Sequence, residues 1–447
     1  MIDLLLILAM LQQGQPGTPA EEPVRQQPSG VLTIKGADLQ LLSAVRTVAE
    51  RVEQLRGEEF ERSPIAVRTP DHMREVAAEI RALNVLPRNR LEARGRAWAD
   101  LGLGGPSSPG TVYMTLAADL SGIGFDPEGN RLLVAPDRLT DQDFVPEEPE
   151  DAGSTVLLMT GVRVDEPLAS HLLMHVRQRE RSGHDTLAET TDALLARSAW
   201  AEGEANLVAI RYLFGGMGLA DDVLERKIDP ADVLDGALFP DGLEELSGAE
   251  GALVRFVYEQ GFASAVRAFR TGGWKGLDAA MARGTTTRDL LHPKTEPLQP
   301  VDFPAPALSQ TEGLQLIDED TLGEEAIIVL VSTLTGKDNL ALLAGDGWAG
   351  DRLYRWEPEG GDPDRGITVW KTRWTDEQGA EDFAYAIRRA LEARFPDRPP
   401  ITLDDGQKII QTATQLFRLQ RHGLEVHLQI SAKELDPLPA GALTDTP

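Results

Sequence analysis

The stretch Leu168 to Glu180 reads LASHLLMHVRQRE and places two of the chain's seven histidines, His171 and His175, four residues apart in a helical pattern that begins at Asp165. Helix residues four apart share a face, one turn from each other. Both imidazoles then present to one point, as two ligands of a single metal ion must. A second helical pattern, from about Leu187 to Leu213, is interrupted by Ala201-Glu202-Gly203-Glu204-Ala205. A carboxylate from a second helix completes such a pair to three ligands with an open fourth position. Glu202 is the candidate, with Glu204 behind it. The alternative is local: partly buried histidines bonded to backbone or carboxylate, and glutamates on an exposed helix face. Spacing alone leaves both readings open.

Composition narrows the chemistry. The chain has 447 residues, with 44 Lys+Arg against 72 Asp+Glu and a formal net charge of −28. That acidity argues against nucleic acid, whose phosphates require a basic face. Apolar residues at 41% and charged residues at 26% suit a globular protein of two or three domains rather than a disordered chain or a membrane bundle. Cysteine is absent, which removes disulfides, thiolate metal sites and Cys nucleophiles together. Any metal is left to His and carboxylate.

The organisation reads as α+β. Leu4 to Leu11 is an unbroken apolar run, followed by a Pro/Gln/Glu-rich stretch to Gly30. The run is too short to span a bilayer and resembles the core of a secretory signal peptide, although no Lys or Arg precedes it. The expectation is a secreted or periplasmic protein with a signal-like segment over 1–30, its start truncated, and no transmembrane span. Leu39, Leu42, Val45, Val48, Val52 and Leu55 mark one stripe of a helix over Asp38 to Arg56, ended by Gly57. Ile65 to Val67 reads as a strand, Thr69-Pro70 as a helix start, Asp126 to Asn130 as a turn before the strand Leu132 to Val134, and Thr155 to Thr160 as a further strand after an acidic loop. Five prolines between Pro293 and Pro306 mark a linker over 293–315. It separates a domain over 31–292 from a small α+β module over 316–435 with a tail over 436–447. In the module, Ala326 to Ser332 and Ile367 to Trp374 read as strands and Ala380 to Arg394 as a helix.

The ordered set of segments resembles a family of secreted bacterial gluzincin-type zinc metallopeptidases. His171 and His175 match the histidines of that family's H-E-x-x-H helix, and Gln178 matches a Gln that closely follows it. DALLARSAWAEGEAN, Asp192 to Asn206, is similar to its second helix, in which the first Glu of E-G-[DE]-A is the third ligand; Glu202 is the match. Weaker similarities run in the same order through Leu55 to Thr69, Gly122 to Val134, Gly272-Gly273-Trp274, Leu291-His292-Pro293 and Gly347 to Trp356, covering roughly 38–395. The resemblance implies a metallopeptidase-like domain and a zinc held by His171, His175 and Glu202.

One position departs from that pattern: Leu172 stands where the family carries the catalytic Glu. In such an enzyme the metal lowers the pKa of its bound water and the Glu takes the water's proton and passes it to the leaving amine. Leucine accepts no proton, and general acid–base help is typically worth about 10²- to 10⁴-fold in rate. The expectation is a metallopeptidase-like protein that binds zinc but is hydrolytically impaired, with no catalytic residue assigned and a protein or peptide as the partner class. Two alternatives stand beside it: a binding or scaffold protein that keeps only the fold, and an active hydrolase with a relocated base, for which Glu204 is the one candidate. His72, His184, His422 and His427 lack ligand spacing, Trp348, Trp356, Trp370 and Trp374 read as core, and Gly122-Ile123-Gly124 lacks the third glycine of a nucleotide loop.

Overall fold

The computed structural model describes residues 38–118, 122–140, 162–163, 165–183, 185–215, 246–296, 301, 303–306, 313–402 and 407–432. The signal-like segment, the acidic loop before Thr155, the strand expected over Thr155 to Thr160, His184 and the C-terminal tail lie outside these residues.

Helix α1 (Leu39–Arg56) forms where the apolar spacing predicts, with Val45, Val48 and Val52 buried, but Leu41 rather than Leu39 heads the buried face: Leu39 is 73% exposed, and Leu42 and Leu55 are half-buried. The Asp38 carboxylate accepts from the Leu41 N–H at 3.0 Å, and Gly57 closes the other end at φ 76°, a left-handed conformation that glycine adopts without strain. Strand β1 (Ile65–Arg68) leads into α2 (Asp71–Val85), α3 (Arg88–Leu101) and α4 (Ser108–Ala117). Thr69 does not cap α2, because its hydroxyl turns back to the Val67 carbonyl at 3.2 Å. Strands β2 (Ile123–Asp126) and β3 (Arg131–Val134) join β1 in a three-stranded sheet of order β1-β3-β2, with β1 parallel and β2 antiparallel to β3.

The helical half follows: α5 (Asp165–Ser182), α6 (Thr191–Gly215), α7 (Gly248–Arg283) and the short α8 (Thr287–Leu291). Helix α5 begins at Asp165, as its pattern predicts, with Pro167 in the first turn, where a proline removes only an N–H that has no intrahelical partner. Helix α6 runs unbroken through the interruption expected at Ala201 to Ala205. Gly203 is there for contact, not for a break. A Cβ on it would lie 2.3 Å from the Gly261 carbonyl oxygen of α7, and a Cβ on Gly261 would lie 2.1 Å from the Ala199 oxygen. The two glycines let the backbones of α6 and α7 approach more closely than any side chain permits.

The C-terminal module comprises β4 (Leu314–Asp320), which begins two residues inside the expected linker, α9 (Gly323–Thr335), α10 (Asp338–Gly345), β5 (Trp348–Pro358), β6 (Ile367–Trp374), α11 (Glu377–Arg394), β7 (Ile401–Thr402), β8 (Lys408–Gln411), β9 (Gln415–His422) and β10 (Glu425–Ala432). The strands make one antiparallel sheet of order β4-β5-β6-β10-β9-β8-β7. The mixed α+β architecture agrees with the sequence, but Ala326 to Ser332 is helix and not strand. The run AIIVLVS is apolar on nearly every side because α9 is buried on nearly every side: Ala326, Ile327, Val329, Leu330 and Val331 all lie inside. Burial of that kind erases the periodicity that separates a helix from a strand. The start of α9 is fixed by Asp351, whose carboxylate accepts from the Leu322 and Gly323 N–H groups at 2.9 and 3.0 Å and from the indoles of Trp348 and Trp370 at 3.1 and 3.0 Å. Phe383 of α11 stacks on Trp374 at 4.6 Å, so these tryptophans build core.

The regions before and after the linker share one continuous buried apolar cluster. Charge crosses the same boundary. Arg94 of α3, fully buried, donates to both oxygens of Asp318 on β4 at 2.9 and 3.2 Å, and Arg96 forks onto Glu357 of β5 at 2.6 and 2.9 Å. Asp100 of α3 accepts from Arg355 of β5 at 2.8 Å.

Candidate metal centre

His171 and His175 face one way from α5, one turn apart, and Glu202 approaches from α6. The Nε2 atoms of the two histidines lie 3.1 Å apart. His171 Nε2 is 3.1 Å from Glu202 Oε2, and His175 Nε2 is 3.4 Å from Glu202 Oε1. Tetrahedral zinc with bonds of roughly 2.0–2.1 Å separates its ligand atoms by about 3.3–3.4 Å, so the triangle has the size that a zinc ion needs. Among the described residues these three make the one group of His and acidic side chains that meets metal-ligand proximity. All three are buried.

The donor set also fits. Two imidazole nitrogens and a carboxylate oxygen turned toward each other are mutually unfavourable unless a proton or a cation lies among them. Glu202 Oε2 has no hydrogen bond of standard geometry despite its burial. Burial opposes charge on every member, yet the Glu202 carboxylate raises the His175 pKa and the two imidazoles hold that of Glu202 well below the carboxylate range. Burial wins at His171, whose pKa is lowered. One positive charge is therefore favoured in the triangle, which a proton or a metal ion can supply.

Surrounding groups hold the triangle in place. His175 Nδ1 lies 2.8 Å from Gln178 Oε1, and the Gln178 amide nitrogen donates to the Ala201 carbonyl at 2.9 Å and to Glu204 Oε2 at 3.0 Å. Glu204 is fully buried, and Arg181 donates to both of its oxygens at 2.7 and 3.2 Å while Arg56 donates to one at 2.9 Å. His171 Nδ1 has no hydrogen-bond partner; the buried Asn206 amide, one turn beyond Glu202, is close enough to favour its charged form but makes no bond of standard geometry.

The three residues expected as ligands are thus brought together, and Glu204, expected behind Glu202, is placed behind it. Its oxygens are engaged by two arginines and Gln178, so it is not positioned as a replacement base. Leu172, 3% exposed, belongs to the apolar core. His72, His422 and His427 stand away from the centre on other elements. Sequence reasoning missed Arg56 and Arg181. Arg181 lies one turn past Gln178, a spacing that could have suggested it; Arg56 is 148 residues from Glu204 and carries no local signal.

Comparison with known proteins bears on the C-terminal module. The model of a family described as Domain of unknown function (DUF8575) matches residues 312–438, which hold the seven-stranded sheet and its helices. The chain matches no curated protein and no solved structure. Among the described residues no helix is long and apolar enough to cross a membrane.

Proposed function

We propose that this protein binds zinc through His171, His175 and Glu202 on a metallopeptidase-like framework whose hydrolytic power is impaired. The observation that carries the reading is the convergence of three ligand atoms at 3.1–3.4 Å beside a leucine at the position of the general base. Bound zinc would supply Lewis acidity and a water of lowered pKa. The chain's own groups do the rest: the imidazole nitrogens and the carboxylate hold the ion, and Gln178 and Glu204 orient them. Leu172 moves no proton, and the oxygens of Glu204 are engaged by Arg56, Arg181 and Gln178. Metal affinity does not need that base, and so outlives it.

The apolar run Leu4 to Leu11 and the absence of cysteine support export from the cytoplasm, and a protein or peptide is the ligand class that such a framework suits. The proposal predicts that the zinc-loaded protein leaves an unfolded protein substrate uncut over hours. Leu172→Glu, in the same assay, gains at least about 10²-fold in rate over wild type, the lower end of what a general base contributes. Turnover by the wild type would contradict the impairment. A Leu172→Glu variant that loads zinc and stays inert would overturn the metallopeptidase-like framework and leave a zinc-binding protein of another kind.

A further inference from the structure

His175 can hold a metal ion through Nε2 only if its remaining proton sits on Nδ1, because a neutral imidazole has one donor nitrogen and one acceptor nitrogen. Neither ligand spacing nor helix periodicity decides which nitrogen is bare. Gln178 does. Its amide nitrogen is committed as a donor to the Ala201 carbonyl and to Glu204 Oε2, so the atom left facing His175 Nδ1 at 2.8 Å is the carbonyl oxygen, which only accepts. The orientation of that amide is imposed in turn by Glu204, an acceptor held between Arg56 and Arg181.

We propose that Gln178 is a positioning residue of the metal centre: it pins His175 as the Nδ1–H tautomer with Nε2 bare and turned to the ion, and Glu204 with its two arginines keeps Gln178 from flipping. The chain of contacts continues into the rest of the fold. Arg56 ends α1, reaches Asp278 of α7 and lies over the Trp274 ring at 4.6 Å, while the Trp274 indole donates to the Leu55 carbonyl at 2.7 Å. Trp274 reaches that place because α7 kinks at Gly272 and Gly273, the latter at φ 61° and ψ −153°, which glycine adopts readily. The segment Gly272-Gly273-Trp274 therefore serves the metal centre through Arg56.

The inference rests on the zinc-binding reading, and the test separates the two. Zinc affinity is measured by competition with a chromophoric chelator for the wild type, Gln178→Leu and Gln178→Glu. Outer contacts of this kind are worth about 10- to 100-fold in metal affinity, so Gln178→Leu should bind zinc that much more weakly. Gln178→Glu should stay closer to wild type than Gln178→Leu, because its carboxyl oxygen, like the amide oxygen, accepts from Nδ1–H. The tautomer is read directly from histidine ¹⁵N shifts of the metal-free wild type at alkaline pH, where the cluster has given up the proton that replaces the metal, and the single remaining His175 proton should sit on Nδ1. Equal affinity in all three proteins, an equal loss in both variants, or an Nε2–H tautomer would overturn the inference and leave the zinc reading standing. If Gln178→Leu does not fold, the tautomer of the wild type decides alone. Absence of zinc binding by the wild type would remove the zinc reading, while the tautomer still tests the hydrogen bond.

Discussion

Arg94→Met is expected to destabilise the protein by about 3–5 kcal/mol, the loss found when one partner of a buried ion pair is removed and the other stays behind. Arg94 is fully buried and donates to Asp318, to the Glu189 carbonyl at 2.6 Å, to the Glu319 carbonyl at 3.1 Å and to the Tyr113 hydroxyl at 3.1 Å. Asp320, also fully buried, lies 3.5 Å from the same guanidinium. Methionine retains much of the apolar stem and removes the charge and its donors, so the change reports the buried polar network that ties α3 to β4, including the bonds to Glu189 and Tyr113. The loss is comparable with the total stability of many domains, and the denaturant midpoint should fall accordingly. Arg90→Met is the control: Arg90 also binds Asp318, but from a position 27% exposed, and its loss should be about 1 kcal/mol. Equal midpoints for Arg94→Met and wild type would mean that the α3–β4 contact contributes nothing to folding.

Gly203→Ala is expected to destabilise by about 2–4 kcal/mol, against the helix-propensity scale, which favours alanine by about 1 kcal/mol. The added Cβ would meet the Gly261 carbonyl oxygen at 2.3 Å and its carbon at 2.6 Å, and a backbone carbonyl cannot swing aside as a side-chain tip can. Helices α6 and α7 must then separate. Glu202 is the adjacent residue, so the same shift pulls the carboxylate off the two imidazoles and weakens zinc binding by about 10-fold or more, in line with the geometric tolerance of metal ligands. Denaturant unfolding and zinc titration of one preparation read both effects. A variant more stable than wild type, as propensity alone requires, would show that the helices do not meet at Gly203.

Much of this centre was legible in the sequence, because its parts are local. His171 and His175 are one helical turn apart whatever the tertiary context, and a carboxylate on the next helix is the simplest third ligand. The segment Glu202-Gly203-Glu204 was read as an interruption, since a glycine inside a helical pattern resembles a break unless the neighbouring helix is known. Leu172 was legible as a departure only against a family pattern. What was hidden depends on distance along the chain: Arg56 meets Glu204, Arg94 meets Asp318, and Gly203 meets Gly261 across segments with no shared periodicity. Ala326 to Ser332 failed for the opposite reason. Its β-branched run has strand propensity, and its environment, buried on nearly every side, left no polar face to betray the helix.

Every functional role proposed for His171, His175 and Glu202 requires that a metal ion occupy the triangle they form. The most direct measurement is the zinc content of the purified protein at neutral pH, after zinc loading and removal of excess, with His171→Ala prepared beside it. The expected result is close to one zinc per chain in the wild type and little or none in the variant, since losing one of three ligands weakens such a site by about 100-fold or more. No zinc in the loaded wild type, or equal zinc in both proteins, would contradict the account: the first outcome would leave a protonated histidine–carboxylate cluster, and the second would place the metal elsewhere.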